Sequence, residues 1–279
     1  MKIIDFRFRP NTREILEGFA RVFKANIEAD GFTLEDYVNN LSEPIETIVA
    51  NLKKNDYAKA VIVGRDIETT FGVPSNNDEV KGFCNAYPEV FAGFVGVDPH
   101  KGEAAVAELT HRVKNEGFVG AATDPIQALI PADDKLFYPF YAECCKLNIP
   151  IIITGGPGRF VERAVAETAA PRYIDNVARD FPNLKIVVSH GAWPYVNEMI
   201  NVAFRNRNVY FEMSEYELFP MSNLYMDAIN TIIKDKVVFA SAHPAVNYLN
   251  AVELYQKLPL ADDAREMVMW KNAEQILER

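Results

Sequence analysis

Apolar and polar positions along this chain fall into repeated units of one strand followed by helix. Lys2 to Arg9 opens the pattern with a period of two. Ile3, Asp5, Arg7 and Arg9 share one face, and Ile4, Phe6 and Phe8 the other. Pro10 ends this strand. From Thr12 to Asn51 the spacing becomes helical, with Ile15, Phe19, Val22 and Phe23 on one side and a capping-box pattern at Thr33-Leu-Glu-Asp36. A further helix fits Ile45 to Lys54. Seven more apolar runs of strand length follow, over 58–64, 90–97, 118–122, 150–154, 184–189, 208–214 and 236–241, each succeeded by helical spacing.

Strict strand–helix alternation implies a parallel sheet. Eight units in this length predict an α/β fold, a (β/α)8 TIM-type barrel forming a single domain over residues 1–279, with a helical insert at about 12–54 after the first strand. A doubly wound open sheet is the alternative, but no Gly-x-Gly-x-x-Gly follows any strand to support it.

Charge and composition narrow the partners. A net charge of −10 speaks against nucleic acid and against an anionic membrane surface. No apolar run approaches the roughly 18 residues that would span a bilayer, and Met1-Lys2-Ile3-Ile4-Asp5 does not open like a signal peptide. Cys84, Cys144 and Cys145 have neither zinc-type spacing nor the even count of a disulfide framework, so a cytoplasmic location is expected. A homodimer is the default assembly.

In a barrel, the carboxyl ends of the strands converge on one rim. That singles out Arg7, Arg9, Arg65, Asp98, Asp124, Thr154, His190, Glu212 and His243. Arg7 and Arg9 lie two apart on a strand, about 7 Å from each other, and point the same way. Inward-pointing guanidinium groups need anions, either internal carboxylates such as Asp5, Asp98 and Glu212 or a substrate carboxylate or phosphate that suits the planar fork. His190 ends the run Leu184-Lys-Ile-Val-Val-Ser, directly before a glycine, and is expected to act as acid or base. Asp124 precedes Pro125, which fits plain turn chemistry as well as a base. His243 and Arg65 follow the last and second strands, and a glutamate inside a strand, Glu212, needs a partner. There are only four histidines, His100, His111, His190 and His243, and no His-x-His. A catalytic zinc site needs three ligands on fixed strands, so no metal ligand and no cofactor is expected. Zinc or manganese on His190, Asp124 and Glu212 is the weaker alternative.

Taken in order, these segments resemble the amidohydrolase-related group that includes aminocarboxymuconate-semialdehyde decarboxylase and the pyrone-dicarboxylate lactonases. Asp5-Phe-Arg-Phe-Arg9 is similar to that group's opening Asp-x-His-x-His, Ser189-His-Gly191 with Pro194 to its sixth strand end, and Phe239-Ala-Ser-Ala-His-Pro244 to its closing Phe-Gly-Ser-Asp-x-Pro. The resemblance implies the barrel. It also implies that positions normally holding metal-binding histidines carry Arg7, Arg9 and Thr154, that the metal-linked aspartate is Ala242, and that His190 alone survives. The expected function is that of a metal-independent hydrolase acting on a small carboxylated anion, such as a lactone or a cyclic or aromatic acid. Arg7, Arg9, Arg65, Glu212 and His243 would bind it, with His190 and Asp124 as acid and base. A decarboxylase of the same family, and a ligand-binding barrel without catalysis, are the alternatives.

Overall fold

The computed structural model describes residues 1–156, 158–159 and 161–278. The chain runs β1 (Ile3–Phe8), α1 (Arg13–Val22), α2 (Lys24–Ala29), α3 (Leu34–Leu41), α4 (Ile45–Lys54), β2 (Tyr57–Val63), α5 (Glu68–Phe71), α6 (Asn77–Ala86), β3 (Phe91–Gly96) and α7 (Glu103–Asn115). It continues β4 (Gly120–Thr123), α8 (Pro125–Ala128), α9 (Tyr138–Leu147), β5 (Ile151–Thr154), α10 (Pro171–Asp180), β6 (Ile186–Ser189), α11 (Val196–Arg205), β7 (Val209–Phe211), α12 (Asn223–Ile229), α13 (Tyr248–Lys257), α14 (Asp262–Glu266) and α15 (Asn272–Leu277). A π-helical turn, Met267–Lys271, joins α14 to α15. Among the described residues, no helix is long and apolar enough to cross a membrane.

The seven strands form one parallel sheet in sequence order, β1 to β7, curled as half of a barrel. The expected eighth strand, over 236–241, forms no ladder; its one bridge pairs Val237 with Phe211. The segment still fills the space between the two edge strands. Val238 N–H donates to Phe211 O (3.0 Å), Phe6 N–H to Phe239 O (2.9 Å) and Arg9 N–H to His243 O (3.1 Å).

Alternation along the strands sorts the core into two layers. Val61, Val63, Phe94, Ala122, Ile152, Val187 and Val238 pack together on the inside with Ile4 and Phe6, closed by Ala273 and Ile276 of α15. Their neighbours Ala60, Ile62, Val95, Ile151, Ile153, Ile186 and Val188 face the helices.

On β1 the alternation breaks, and this positions the site. Strict alternation would put Ile4, Phe6 and Phe8 on one face. Instead Ile4 and Phe6 join the inner layer and Phe8 the outer one. The register against β2 slips between Asp5 and Phe8, which is a bulge. The buried Asp5 carboxylate holds it there, accepting Arg7 N–H (3.1 Å) and Ser241 N–H (3.0 Å) on one oxygen. Past the bulge, Arg7 and Arg9 point to the barrel mouth while Phe8 packs outward against His243, Phe91 and Tyr248.

Helices α1–α3 carry a small core of their own, Leu16, Ala20, Ile27 and Val38, separate from the two barrel layers. Thr33 caps α3 by accepting Asp36 N–H at 3.0 Å, as its sequence pattern predicts. Elsewhere, two glycines let strand ends approach closely. A Cβ on Gly96 would lie 2.3 Å from Arg65 N, and one on Gly64 would lie 2.6 Å from Gly96 N. Gly96→Ala should therefore destabilise the fold by roughly 1–3 kcal/mol and shift Arg65. Chemical denaturation measures the first effect, and an unchanged midpoint would show that the backbone yields without cost.

Candidate active site

A cavity of about 610 Å³ opens at the carboxyl ends of the strands, between the sheet and α1–α3. Its polar wall carries Arg7, Arg9, Arg65, Glu215 and His243. Across from these, Phe19, Phe23, Ile27, Phe32 and Tyr37 of the α1–α3 segment supply an apolar wall. The helices after β1 thus cover the site.

The arginines are short of anions. Among the described residues, no carboxylate lies within 4.0 Å of any of the three. Arg7 donates to Ser189 Oγ at 2.8 Å. Arg9 is 6% exposed, and its Nε is buried with no partner. Burial, together with the charges of Arg65 and Arg7, pushes its guanidinium well below the ordinary arginine range. Arg65 is held down to about 10, chiefly by burial and by Arg7, with the charge of Asp124 opposing.

Glu215, which the sequence reading did not single out, faces these cations. Burial lifts its carboxyl to about 7 against the pull of Arg7, Arg9 and Arg65. It lies a few residues past β7, in left-handed backbone (φ 72°), and the rule that strand ends build the site would have included it. Non-glycine left-handed residues recur at this rim, at His190 (φ 60°), Ala192 (φ 54°) and Ala242 (φ 55°). Such strain persists only where surrounding contacts impose it.

At His190 those contacts come from Glu212. Its two carboxylate oxygens accept His190 N–H (3.1 Å) and Ser214 N–H (2.7 Å), and its carbonyl accepts Gly191 N–H at 2.6 Å. Tyr225 O–H donates to Gly191 O. Glu212 is 1% exposed and fastens the β6 and β7 ends to each other, away from the cavity lining.

His190 is buried beside the same network. Its Nδ1 lies 2.9 Å from Ser214 O. A carbonyl can only accept, so Nδ1 carries the proton and Nε2 keeps its lone pair. Burial first, then the charge of Arg7, holds the ring well below the usual histidine range and therefore neutral. Its side chain is not part of the cavity wall. His243 is, with burial pushing it down to about 4. Its Nε2 lies 3.0 Å from Asn11 Oδ1, tying the rim to the start of the covering segment. Asp124 accepts Gln127 N–H at 3.0 Å and caps α8, the turn role that Asp-Pro suggests. Burial raises its carboxyl, with Arg65 opposing. It shares a small adjoining pocket with Arg9, Arg65, Thr123 and Thr154.

Comparison with known proteins follows the same lines. The sequence matches the amidohydrolase family over residues 47–279. A 2-keto-4-carboxy-3-hexenedioate hydratase of Sphingobium sp. (strain NBRC 103272 / SYK-6) is 26% identical over 241 residues, covering 73% of this chain and 70% of the relative. Among solved structures, a TIM-barrel protein of Bordetella bronchiseptica superposes with a TM-score of 0.79 at 27% identity, covering 99% of this chain and 98% of the other. A 5-carboxyvanillate decarboxylase of Novosphingobium aromaticivorans, complexed with manganese and 4-hydroxy-3-methoxy-5-nitrobenzoic acid, does so at 0.71 and 16% identity, covering 99% and 96%. At that identity the likeness is one of fold.

The residues present here do not fit such an ion. Arg7 and Arg9 have no lone pair to give a metal, and Ala242 has no donor atom. Among the described residues, no three His, Cys, Asp or Glu side chains gather into a group able to hold one.

Glu215 also makes a stability prediction. Its folded-state value, about 7, lies above its ordinary 4.5. The protonated form is thus favoured by folding: its contribution is fully present below about 4.5 and is lost as pH rises through 7. Thermal melts should show Glu215→Gln above wild type at pH 8 and level with it at pH 4. A wild type that melts higher at pH 8 would mean the arginines stabilise the carboxylate outright.

Proposed function

The chain belongs to the amidohydrolase family and is an enzyme, and from that premise we propose that it is a lyase adding water to, or removing it from, a small carboxylate-bearing substrate without a metal ion. The observation that carries this reading is the placement of Glu215, whose carboxyl is lifted to about 7, in one cavity with guanidinium groups that have no carboxylate within 4.0 Å among the described residues. The hydratase relative supports the reaction class. The fold is read as the full eightfold barrel of its TIM-barrel likenesses, with segment 236–243 in the place of the last strand. Three free cysteines suit a cytoplasmic enzyme.

The chemistry follows from the charges. Hydration of a double bond conjugated to a carboxylate or oxo group places negative charge on those oxygens. Arg7 and Arg9 stabilise that charge where a divalent ion would otherwise do so. As a carboxylate, Glu215 takes a proton from the attacking water; as the acid, it returns that proton to the neighbouring carbon. A group titrating near 7 can hold both forms at neutral pH. His190 can take a proton only at Nε2, since Nδ1–H is engaged by Ser214 O. Asp124 supports the arginines as a counter-charge.

Decarboxylation fits this wall less well. A departing carboxylate gives up its charge, and arginines gripping it would stabilise the ground state. Hydrolysis of a lactone is the second reading, favoured by the same Glu215, which would activate water toward a ring carbonyl.

The test is turnover of conjugated 2-oxo polycarboxylates by chelator-treated protein, followed by loss of ultraviolet absorbance, with the corresponding lactones assayed beside them. Glu215→Gln should lower kcat by about 10²–10⁴-fold with KM nearly unchanged. Arg7→Gln should raise KM, and the rate should climb with pH through about 7. Stoichiometric zinc or manganese in protein purified without chelators, with turnover lost on its removal, would overturn the metal-free mechanism. Release of carbon dioxide would overturn the reaction class.

A further inference from the structure

Asp124 acts on two of the arginines from beyond ion-pair distance. Its charge opposes the depression of both Arg9 and Arg65. Yet no carboxylate lies within 4.0 Å of either among the described residues. Charged groups that act on each other across such a gap raise the question of what bridges them.

The small pocket beside the main cavity is lined by both partners. It measures about 10 Å³, which is about the room that one water molecule needs. Arg9, Arg65, Thr123, Asp124 and Thr154 contribute to its wall. Two of them carry a buried polar atom without a partner: Nε of Arg9, a residue 6% exposed, and Oγ1 of Thr123, a residue 5% exposed. Asp124 accepts Gln127 N–H on Oδ1 at 3.0 Å. A carboxylate has room for further donors. A guanidinium donor, a hydroxyl and a carboxylate thus surround a space of one water's size.

The mixture of groups decides the occupant. A cation would be repelled by Arg9 and Arg65. An anion would be repelled by Asp124 and has no hydrogen to give its carboxylate. A water molecule uses donors and acceptors together, commonly through about three hydrogen bonds. Here it would accept from Arg9 Nε–H, donate to Asp124 and pair with Thr123 Oγ1.

We propose that this pocket is a binding site for a single water molecule that links Arg9 Nε to the Asp124 carboxylate, and that Thr123 holds that water in place. The bridge lets Asp124 offset the charge of Arg9 without a direct ion pair. It also engages Nε, so that the two Nη groups are the ones Arg9 offers to the main cavity. Thr123 is then a positioning residue, acting on Arg9 through the water. The site is independent of which reaction the enzyme performs.

Diffraction from crystals of the whole protein, one of them soaked in sodium bromide, tests the occupant. Wild type should show one ordered water at hydrogen-bond distance from Arg9 Nε, Thr123 Oγ1 and an Asp124 oxygen, with no bromine anomalous signal there. A bromine peak would make the pocket an anion site and sink the proposal, as would a pocket without density. Thr123→Ser should keep the water. Thr123→Val, nearly the same shape without the hydroxyl, should lose it; a water unmoved in that variant would refute the role of Thr123. Urea denaturation at pH 7 checks the link in solution. Thr123→Val should raise the unfolding equilibrium constant by about tenfold. Adding Asp124→Asn, which can still cap α8, should change it by less than about threefold beyond the larger single effect, because both substitutions break the same bridge. Full additivity would mean that the two residues act separately, and the bridge would fall.

Discussion

Three guanidinium groups gathered at the mouth of the sheet, without a carboxylate within 4.0 Å among the described residues, are the constraint on which the rest of this site depends. Buried cations are costly when unpaired, and mutual repulsion adds to the cost. The depression of Arg9 by burial, Arg65 and Arg7 is the local sign of it. A fold tolerates such an arrangement where the strain is useful, and in the proposed reading an incoming anion would offset it. The same cations shape their neighbours. They help hold His190 neutral and pull against the burial of Glu215, which leaves that carboxyl near neutrality.

Around this cluster the scaffold is stiff. Asp5 locks the β1 bulge that turns Arg7 and Arg9 to the mouth. Glu212 binds the strained turn at His190 to the strand that leads to Glu215. Neither carboxylate pairs with an arginine. Each serves backbone N–H groups, which explains how buried acids lie close to cations and still leave them open. Both were natural candidates for internal ion pairs with Arg7 and Arg9, and their engagement by backbone N–H groups is what leaves those guanidinium groups without them.

Arg7 and Arg9 have no lone pair to offer an ion, and among the described residues no His, Cys, Asp or Glu group is able to hold one. A guanidinium can polarise an oxygen and hold a carboxylate, but it cannot lower the pKa of a bound water as a metal does. In the proposed metal-free reading water activation falls to a side chain, and Glu215 is the carboxyl of the cavity wall that burial lifts to about 7.

Much of this was legible in the sequence. Period-two runs alternating with helical spacing specified the parallel sheet in its order, because strand and helix periodicities are local properties. The resemblance to the amidohydrolases, the arginine substitutions and the convergence of Arg7, Arg9, Arg65 and His243 on one cavity were also readable, since strand ends share a rim. The tertiary structure alone decided four things. It broke the alternation of β1, because a bulge depends on how Asp5 meets Ser241 from the far end of the chain. The last extended segment was left as hydrogen bonds without a ladder, because pairing depends on both of its neighbours. Glu212 went to backbone donors and Glu215 to the cavity, a choice set by turn geometry that two glutamates three residues apart do not reveal. Finally, it laid Phe19 and Phe23 over Arg65. Periodicity marks which side of a helix is apolar, and only packing determines what that side covers.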